Sequence, residues 1–322
     1  MRNFAQPRVI VSKCLGFARC RYNGEIISDE FVRQLQPHVT FLPICPEVEI
    51  GLGVPRDSLR VVSVDGELQL VQSATGTDLT ERMRTFAHDF LSAAKDIDGF
   101  ILKGRSPSCG FKDVKVYPST EKVGPMGRSA GFFGGPVMEH FSHLAVEDEG
   151  RLKNYTLREH FMTRLFTLAD FRAVKASGAM RELVRFQSEN KLLLMAYSQK
   201  NLRALGRIVA NPDKRPLDKV LADYERDLWD ALASPPRRNS GINVLMHAMG
   251  YFSKHLSKQE KAFFLNTLER YRAHKVPLSV PIGIANAWIV RFEEPYLSQQ
   301  TFFEPYPEAL VTISDAGKGR PL

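Results

Sequence analysis

Short apolar runs alternate with amphipathic segments over the first half of the chain. The apolar runs, bounded by turn-forming residues, predict parallel strands at 8–13, 39–44, 98–103 and 143–146. Helical spacing of apolar residues, with a capping serine before the first segment, predicts helices at 28–36 and 78–95. Alternation on both sides of Asp65-Gly66 predicts a β-hairpin over residues 61–73. This order of elements is typical of βαβ units, in which helices cover a mostly parallel sheet.

The second half of the chain changes to helical periodicity. The predicted helices are 155–175, 180–209, 216–232, 241–255 and 257–274. Residues 276–310 are rich in proline and aromatic side chains, and we expect this tail to wrap over the helical bundle. The predicted fold is α/β: a three-layer, Rossmann-like, mostly parallel sheet domain over residues 1–156, followed by an all-α domain over residues 157–322.

Composition adds limits to this picture. The chain has 322 residues, of which 43% are hydrophobic and 25% charged, so it can bury the cores of two domains. The sequence holds no run near the roughly 18 apolar residues of a membrane span, and its first residues contain no apolar signal core. We therefore expect a cytoplasmic protein, whose four cysteines stay reduced and available as ligands.

The net charge of +8 lies entirely in the second half of the chain. Residues 1–160 hold 20 Lys and Arg against 20 Asp and Glu, whereas residues 161–322 hold 24 against 16. A positive field on one domain attracts polyanions, and phosphate backbones are the commonest of these in the cytosol. The alternative is that these charges only solvate helical faces.

Three of the four cysteines stand just beyond predicted strands. Cys14, Cys45 and Cys109 follow the first, second and third of the parallel strands along the chain. The carboxyl ends of parallel strands share one edge of a sheet, where such sheets bind ligands. Because the three thiols would converge there, the sequence predicts a metal or cluster site.

The spacing of the cysteines bears on which metal they would hold. A structural zinc site usually includes a Cys-x-x-Cys pair, and the chain contains none. Three thiolates on separate loops could instead hold a [4Fe-4S] cluster through three irons and leave the fourth iron open as a Lewis acid. Cys20 follows Cys14 by six residues in a turn, away from the predicted strand end, which favours a small buried thiol. Zinc, and a ligand role for Cys20, both stay open.

Polar residues flank two of these cysteines. Glu47 lies two residues after Cys45, and Ser106 lies three residues before Cys109. A carboxylate near a cluster can take a proton from water, and a serine hydroxyl can donate to a developing anion. Each residue alone is also compatible with an ordinary surface acid or turn former.

Three motifs in the first half resemble those of the thiouracil desulfidase family. They are Ser12-Lys-Cys14-Leu-Gly with Arg21-Tyr-Asn-Gly24, Cys45-Pro-Glu47-Val-Glu-Ile-Gly51-Leu-Gly-Val-Pro-Arg56, and Leu102-Lys-Gly-Arg-Ser106-Pro-Ser-Cys109-Gly110. The resemblance spans residues 8–155. It implies a [4Fe-4S] cluster on Cys14, Cys45 and Cys109, with Glu47 and Ser106 as catalytic groups.

The second half resembles a helical domain that occurs alone or behind a desulfidase domain. The matching segments are Val276-Pro-Leu-Ser-Val-Pro-Ile-Gly and Pro295-Tyr-Leu-Ser-Gln-Gln-Thr-Phe-Phe-Glu-Pro-Tyr-Pro. Together the two domains resemble bacterial tRNA 4-thiouridine desulfidases, which convert that nucleoside to uridine, so the resemblance implies tRNA as a partner. The candidate RNA-binding residues are Lys200, Arg203, Arg207, Lys214, Arg215, Arg237 and Arg238.

The reaction expected from this resemblance is a net hydrolysis that needs no external redox partner. The open iron would bind the thiocarbonyl sulfur, Glu47 would activate a water that attacks the ring carbon, and Ser106 would hydrogen-bond the substrate or relay a proton. Sulfur would leave as hydrosulfide. Two alternatives stay open: a desulfidase of free thiouracil or other small thiolated compounds, and a non-enzymatic RNA-binding protein whose iron–sulfur cluster has four protein ligands.

Overall fold

A computed structural model describes residues 2–121 and 123–312 of the chain. These residues form two compact units. The first, here called the N-terminal unit, contains Phe4–Asp170 and residues 309–312, and the second, the C-terminal unit, contains Phe171–Glu308 and residues 2–3. Both the predicted boundary after residue 156 and the boundary after Asp170 fall within one helix, Tyr155–Ser177.

The N-terminal unit contains the strands of the described chain. They are β1 (Arg8–Ser12), β2 (Thr40–Ile44), β3 (Leu59–Val64), β4 (Glu67–Gln72), β5 (Gly99–Leu102), β6 (Val114–Tyr117), β7 (Gly127–Ser129) and β8 (Ala145–Asp148). A parallel sheet has the order β2-β1-β5-β8. Val9, Ile10 and Val11 in β1, like Phe100 and Ile101 in β5, are at most 1% exposed, as expected of central parallel strands covered on both faces. The four predicted parallel strands are confirmed.

A second, mixed sheet has the order β4-β3-β6-β7. Strands β3 and β4 form the predicted hairpin, and Asp65 and Gly66 turn it with positive φ angles of 51° and 87°. Strand β3 pairs in parallel with β6, and β6 pairs antiparallel with β7, so the hairpin does not join the first, parallel sheet. Sequence analysis did not predict β6 and β7, because each has only three or four residues and β7 (Gly-Arg-Ser) carries no apolar alternation.

Five helices begin in the N-terminal unit. They are α1 (Glu30–Leu35), α2 (Pro46–Glu49), α3 (Thr80–Ala93), α4 (Gly134–Phe141) and α5 (Tyr155–Ser177). The side chain that caps α1 belongs to Asp29, which accepts from Val32 N at 3.0 Å, and not to the predicted Ser28. Helix α2 starts directly at the carboxyl end of β2, with Cys45 as its N-cap residue.

The C-terminal unit is helical, as predicted. Its helices are α6 (Met180–Glu189), α7 (Lys191–Tyr197), α8 (Gln199–Ala210), α9 (Leu217–Ala231), α10 (Arg238–Phe252), α11 (Lys258–Arg272) and α12 (Ser279–Arg291). The single helix predicted over 180–209 is wrong, because α6, α7 and α8 are separate. Asn190 ends α6 by donating to Phe186 O at 2.9 Å, and Ser198 caps α8 by accepting from Asn201 N at 3.3 Å.

Helix α12 lies inside the segment 276–310, which sequence analysis treated as a tail that wraps over the bundle. Its proline, Pro281, stands in the first turn, where the missing N–H has no intrahelical partner to lose. The buried rings of Trp288 and Phe302 belong to the core of the unit, and Trp288 packs on Phe252 and Phe264. These two rings therefore serve packing within the unit. Among the described residues, no helix has both the length and the apolar character that crossing a membrane requires.

Candidate functional site

The predicted cysteine site lies at the carboxyl edge of the parallel sheet. Cys14 follows β1, Cys45 follows β2 and caps α2, and Cys109 lies in the loop after β5. Cys14 is half-buried, whereas Cys20, Cys45 and Cys109 are 5%, 8% and 6% exposed. The topology therefore gathers loops that are far apart in sequence, because neighbouring parallel strands end at the same edge.

Hydrogen bonds and electrostatic contacts link all four thiols. The Cys20 thiol interacts with the thiols of both Cys14 and Cys45. Cys45 Sγ also lies 3.7 Å from Cys20 O, to which it donates. The Cys109 thiol interacts with Ser12, the last residue of β1, and lies close enough to Cys45 and Cys20 for their charges to act on it. The cysteine site thus comprises four thiols rather than the three that sequence analysis brought together.

The placement of Cys20 corrects the expectation that it lies away from the strand ends. The turn after β1 folds back on itself, with Gly16 at φ +96° and Ala18 N donating to Lys13 O at 3.0 Å. Arg56 Nη1 donates to Cys20 O at 3.0 Å and fixes the end of this turn against the site. Residue counting from β1 could not show this, because a bond to Arg56, 36 residues away, sets the position.

The thiols of the cysteine site have raised pKa values. The hydrogen bond with Cys14 raises the pKa of Cys20 to about 11, against an opposing effect of the bond with Cys45. The hydrogen bond with Cys20, with burial, raises the pKa of Cys45, and burial raises that of Cys109. These three groups are therefore protonated thiols at neutral pH, and a bound metal must displace their protons.

Glu47 is held in one orientation at the first turn of α2. Arg56 donates to Glu47 Oε2 from Nε at 2.9 Å and from Nη2 at 2.6 Å, and Ser108 Oγ donates to Glu47 Oε1 at 2.9 Å. The side chains of Arg56 and Glu47 are only 5% and 13% exposed. Both carboxylate oxygens thus have partners, and the charge of each residue is neutralised by the other. Glu47 also acts electrostatically on Cys45 and Cys109, which places it beside the thiols.

The two serines before Cys109 have different roles. Ser106 Oγ accepts from the backbone N–H groups of Ser108 at 3.3 Å and Cys109 at 3.1 Å, so it shapes the loop. The hydroxyl that contacts Glu47 belongs to Ser108. Sequence analysis singled out neither Ser108 nor Arg56 as a site residue, although both lie within the quoted motifs.

A glycine-rich segment before α4 holds the Cys109 loop from outside. Phe133 N donates to Ser108 O at 2.9 Å, and Gly131 N donates to Gly110 O at 2.6 Å. A Cβ atom on Gly134 would lie 2.4 Å from the carbonyl oxygen of Cys109, so only glycine permits this approach. The loop that carries Cys109 is therefore braced by backbone contacts that its own sequence does not reveal.

The chemistry of the donor set decides which metals the site can hold. Within the described ranges, no group of three or more His, Cys, Asp and Glu side chains is arranged to hold a metal ion. The gathered donors are thiols on three separate loops, and sulfur donors of this kind suit iron–sulfur clusters, zinc and Cu(I). By donor chemistry, the residues fit a thiolate-bound cluster once their protons are displaced.

The candidate RNA-binding residues all lie in the C-terminal unit, at two places along the chain. Lys200, Arg203 and Arg207 follow one face of α8 at intervals of three and four, Lys214 and Arg215 lie in the next loop, and Arg237 and Arg238 lie at the start of α10. Exposed among them are Lys200, Arg203, Arg207, Lys214 and Arg237.

The other two candidates have partners within the unit. Arg215 Nη1 lies 2.6 Å from Asp223 Oδ2. Arg238 Nη1 donates to Tyr271 O at 2.8 Å, and the Arg238 guanidinium lies 4.5 Å from the centre of the Tyr271 ring. These contacts contribute to packing, and RNA binding by the seven residues stays a prediction.

Comparisons with known proteins match the first and second halves of the chain to two different families. Residues 9–149 match the family described as 2-thiouracil desulfurase, and residues 191–307 match a protein family of unknown function, DUF1722. The uncharacterized protein YbbK of Bacillus subtilis (strain 168) is 37% identical over 109 residues, which is 32% of this chain and 72% of that protein. The uncharacterized protein YbgA of Escherichia coli (strain K12) is 29% identical over 151 residues, 46% of this chain and 89% of that protein.

A solved structure is also similar to part of the chain. It is that of TudS, a [4Fe-4S]-dependent thiouracil desulfidase, which is 28% identical, covers 46% of this chain and 93% of its own, and has a TM-score of 0.38. Together with the family match and the cysteine motifs at the sheet edge, the relation to YbbK decides the family. The chain belongs to the 2-thiouracil desulfurase family through residues 9–149 and carries a DUF1722 domain at residues 191–307.

Proposed function

We propose that this protein removes sulfur from 4-thiouridine in tRNA, giving uridine and hydrosulfide, with a [4Fe-4S] cluster held by Cys14, Cys45 and Cys109. The observation that carries the proposal is the gathering of these thiols beside the Glu47 carboxylate at one sheet edge, in a chain of the 2-thiouracil desulfurase family. Family membership supports desulfurisation, and the geometry supports a thiolate-bound cofactor next to a proton acceptor.

The cluster, when bound, supplies an iron without a permanent protein ligand, which accepts the soft sulfur of a thiocarbonyl group. The chain supplies the rest. Cys45 and Cys109 are buried, so charges that develop beside them are screened less than they would be in bulk water.

Glu47 is the residue that takes a proton from the attacking water. Arg56 on one oxygen and Ser108 on the other hold its carboxylate in one orientation, so little reorganisation is needed when the proton arrives. Ser106 accepts hydrogen bonds from the Cys109 loop through its oxygen, and its own O–H is the donor that we assign to the base of the substrate.

The choice of tRNA rests on the C-terminal unit. Lys200, Arg203 and Arg207 project from one face of α8 into solvent, where they fit a row of backbone phosphates. The modified base is stacked in folded tRNA, so it must leave the stack to reach a buried site. The name of the matching family favours a second candidate, the desulfurisation of free 2-thiouracil.

A substrate comparison tests the proposal. The full-length protein is purified without oxygen, its iron and acid-labile sulfide are measured, and sulfide release is followed with 4-thiouridine-containing tRNA, the free nucleoside and 2-thiouracil. We expect four irons per chain and the highest kcat/KM on tRNA. Equal or faster turnover of 2-thiouracil would replace tRNA with the small-molecule substrate. Iron-loaded protein that releases no sulfide from any of the three would contradict the enzymatic function.

A further inference from the structure

We propose that Cys20 is an exchangeable fourth ligand of the cluster, bound to the open iron in the resting enzyme and replaced there by the sulfur of the substrate. This inference rests on the proposed function, since it concerns the same cluster. The family resemblance assigns three cysteines and leaves Cys20 without a role.

The contacts of Cys20 carry the first step of the argument. Cys45 Sγ donates to Cys20 O at 3.7 Å, the Cys20 thiol interacts with the thiols of Cys14 and Cys45, and its side chain lies in a buried position. An inert core cysteine acts as a small apolar group and packs among apolar side chains. Cys20 instead lies beside Cys45, so a cluster bound by Cys14 and Cys45 forms near a fourth sulfur donor.

The anchoring of the Cys20 backbone carries the second step. Arg56 Nη1 donates to Cys20 O at 3.0 Å, while Nε and Nη2 of the same guanidinium donate to Glu47. One side chain therefore positions both the fourth thiol and the proton acceptor. Departure of Cys20 from the iron shifts the turn that ends at this carbonyl, and Arg56 connects that shift to Glu47.

The exchange balances without a redox partner. The bond between iron and Cys20 Sγ breaks as the bond between iron and the substrate sulfur forms, and Cys20 leaves with its electron pair and takes a proton from water. After hydrosulfide departs, Cys20 loses that proton and binds the iron again. No electron is transferred, and iron keeps four ligands throughout. In the resting enzyme, Cys20 thereby shields the iron that would otherwise face solvent.

The test compares wild-type protein with Cys20→Ser, Cys20→Ala and Arg19→Ala, all loaded with iron without oxygen. Arg19 is the exposed neighbour of Cys20 in the same turn, so Arg19→Ala controls for disturbance of the turn. The readouts are iron content, the EPR signal of the three-iron form after brief treatment with ferricyanide, and the Mössbauer spectrum before and after addition of hydrosulfide. None of these depends on turnover.

We expect both Cys20 variants to hold a four-iron cluster but to lose one iron roughly tenfold faster or more under ferricyanide, on the scale by which a metal's protein partners alter its affinity. Wild-type protein and Arg19→Ala should lose this iron slowly. In the Mössbauer spectrum, one iron should be thiolate-bound in the resting state, and hydrosulfide should change the signal of that iron. Wild-type rates of iron loss in both Cys20 variants would overturn the proposal. Complete loss of the cluster in both variants would make Cys20 a permanent ligand and would also overturn it. Wild-type protein that binds no iron would instead overturn the proposed function, and the exchange with it.

Discussion

The two units of the molecule carry their chemical groups in opposite ways. In the N-terminal unit, Glu47 and Arg56 are almost fully buried, and each is fixed by several hydrogen bonds. In the C-terminal unit, Lys200, Arg203 and Arg207 stand in solvent on the outer face of α8. Buried and oriented groups act strongly and one by one, whereas exposed charges act weakly, additively and under screening by salt. Single substitutions should therefore be severe in the first unit and mild in the second.

The largest effect is expected from Cys109→Ser. If Cys109 is one of the three proposed permanent ligands, its loss should remove bound iron and sulfide release together, because a serine hydroxyl is a poor substitute for a soft thiolate. Iron content and the visible absorbance of anaerobically loaded protein measure the effect, with the far-UV circular dichroism spectrum as the control for folding. A variant with full iron content would remove Cys109 from the ligand set.

Glu47→Gln should separate the chemistry from the cofactor. We expect wild-type iron content but a fall in sulfide release of about 10²–10⁴-fold, the usual contribution of a positioned general base. Glu49→Gln changes an exposed acid on the same short helix and is the matched control. If both variants retain wild-type turnover, Glu47 is not the base.

Arg56→Lys should have an intermediate effect. Lysine presents its donors from one nitrogen and cannot reproduce the planar fork by which Nε and Nη2 of Arg56 bond Glu47 while Nη1 bonds Cys20 O. We expect kcat to fall about tenfold, on the scale of lost supporting hydrogen bonds around a metal site, while iron stays bound. Arg84→Lys, at an exposed ion pair with Glu81, should change neither quantity. An unchanged kcat in Arg56→Lys would show that Glu47 needs no such positioning.

A smaller and salt-dependent effect is expected when Lys200, Arg203 and Arg207 are all changed to alanine. The affinity for thiolated tRNA should fall, and the slope of log affinity against log salt concentration should shrink by about 0.7–0.9 for each lost phosphate contact. The control removes three other exposed cations of the C-terminal unit: Lys254, Lys258 and Arg272. Equal losses in both triple variants would mean that binding follows net charge rather than the face of α8.

The last effect concerns stability rather than activity, and it sharpens the contrast in burial. Burial, with the nearby charge of Arg164, lowers the pKa of His160 in α5 to about 3. Between about pH 6.5 and pH 3 the unfolded chain therefore binds a proton at this residue, whereas the folded chain does not. The free energy of unfolding should fall as the pH drops through this range, by at most about 1.4 kcal/mol per pH unit from this group. His160→Gln should flatten this dependence in urea unfolding, whereas His88→Gln, at an exposed position, should leave it unchanged. Identical slopes in all three proteins would contradict the assignment.

Local patterns predicted those elements whose contacts are themselves local or repeat along the sheet. Sequence analysis could predict the strands β1, β2, β5 and β8 and the Asp65-Gly66 turn, because strand period and turn chemistry are properties of neighbouring residues. The breaks that separate α7 from α6 and α8 could not be predicted from local sequence. Asn190, which ends α6, also accepts from Thr301 Oγ1 at 2.8 Å, a partner 111 residues away. No window of sequence contains such a pair.

By itself, the sequence determined the order of strands and helices, the three loops that carry Cys14, Cys45 and Cys109, and the excess of positive charge in the second half. Only the tertiary structure decided that Cys20 joins these thiols, that Ser108 rather than Ser106 contacts Glu47, and that Arg56 holds both Glu47 and the Cys20 turn. The reason is physical. Period and spacing say where a strand ends, but the path of the loop beyond it depends on hydrogen bonds to residues that are distant in the chain.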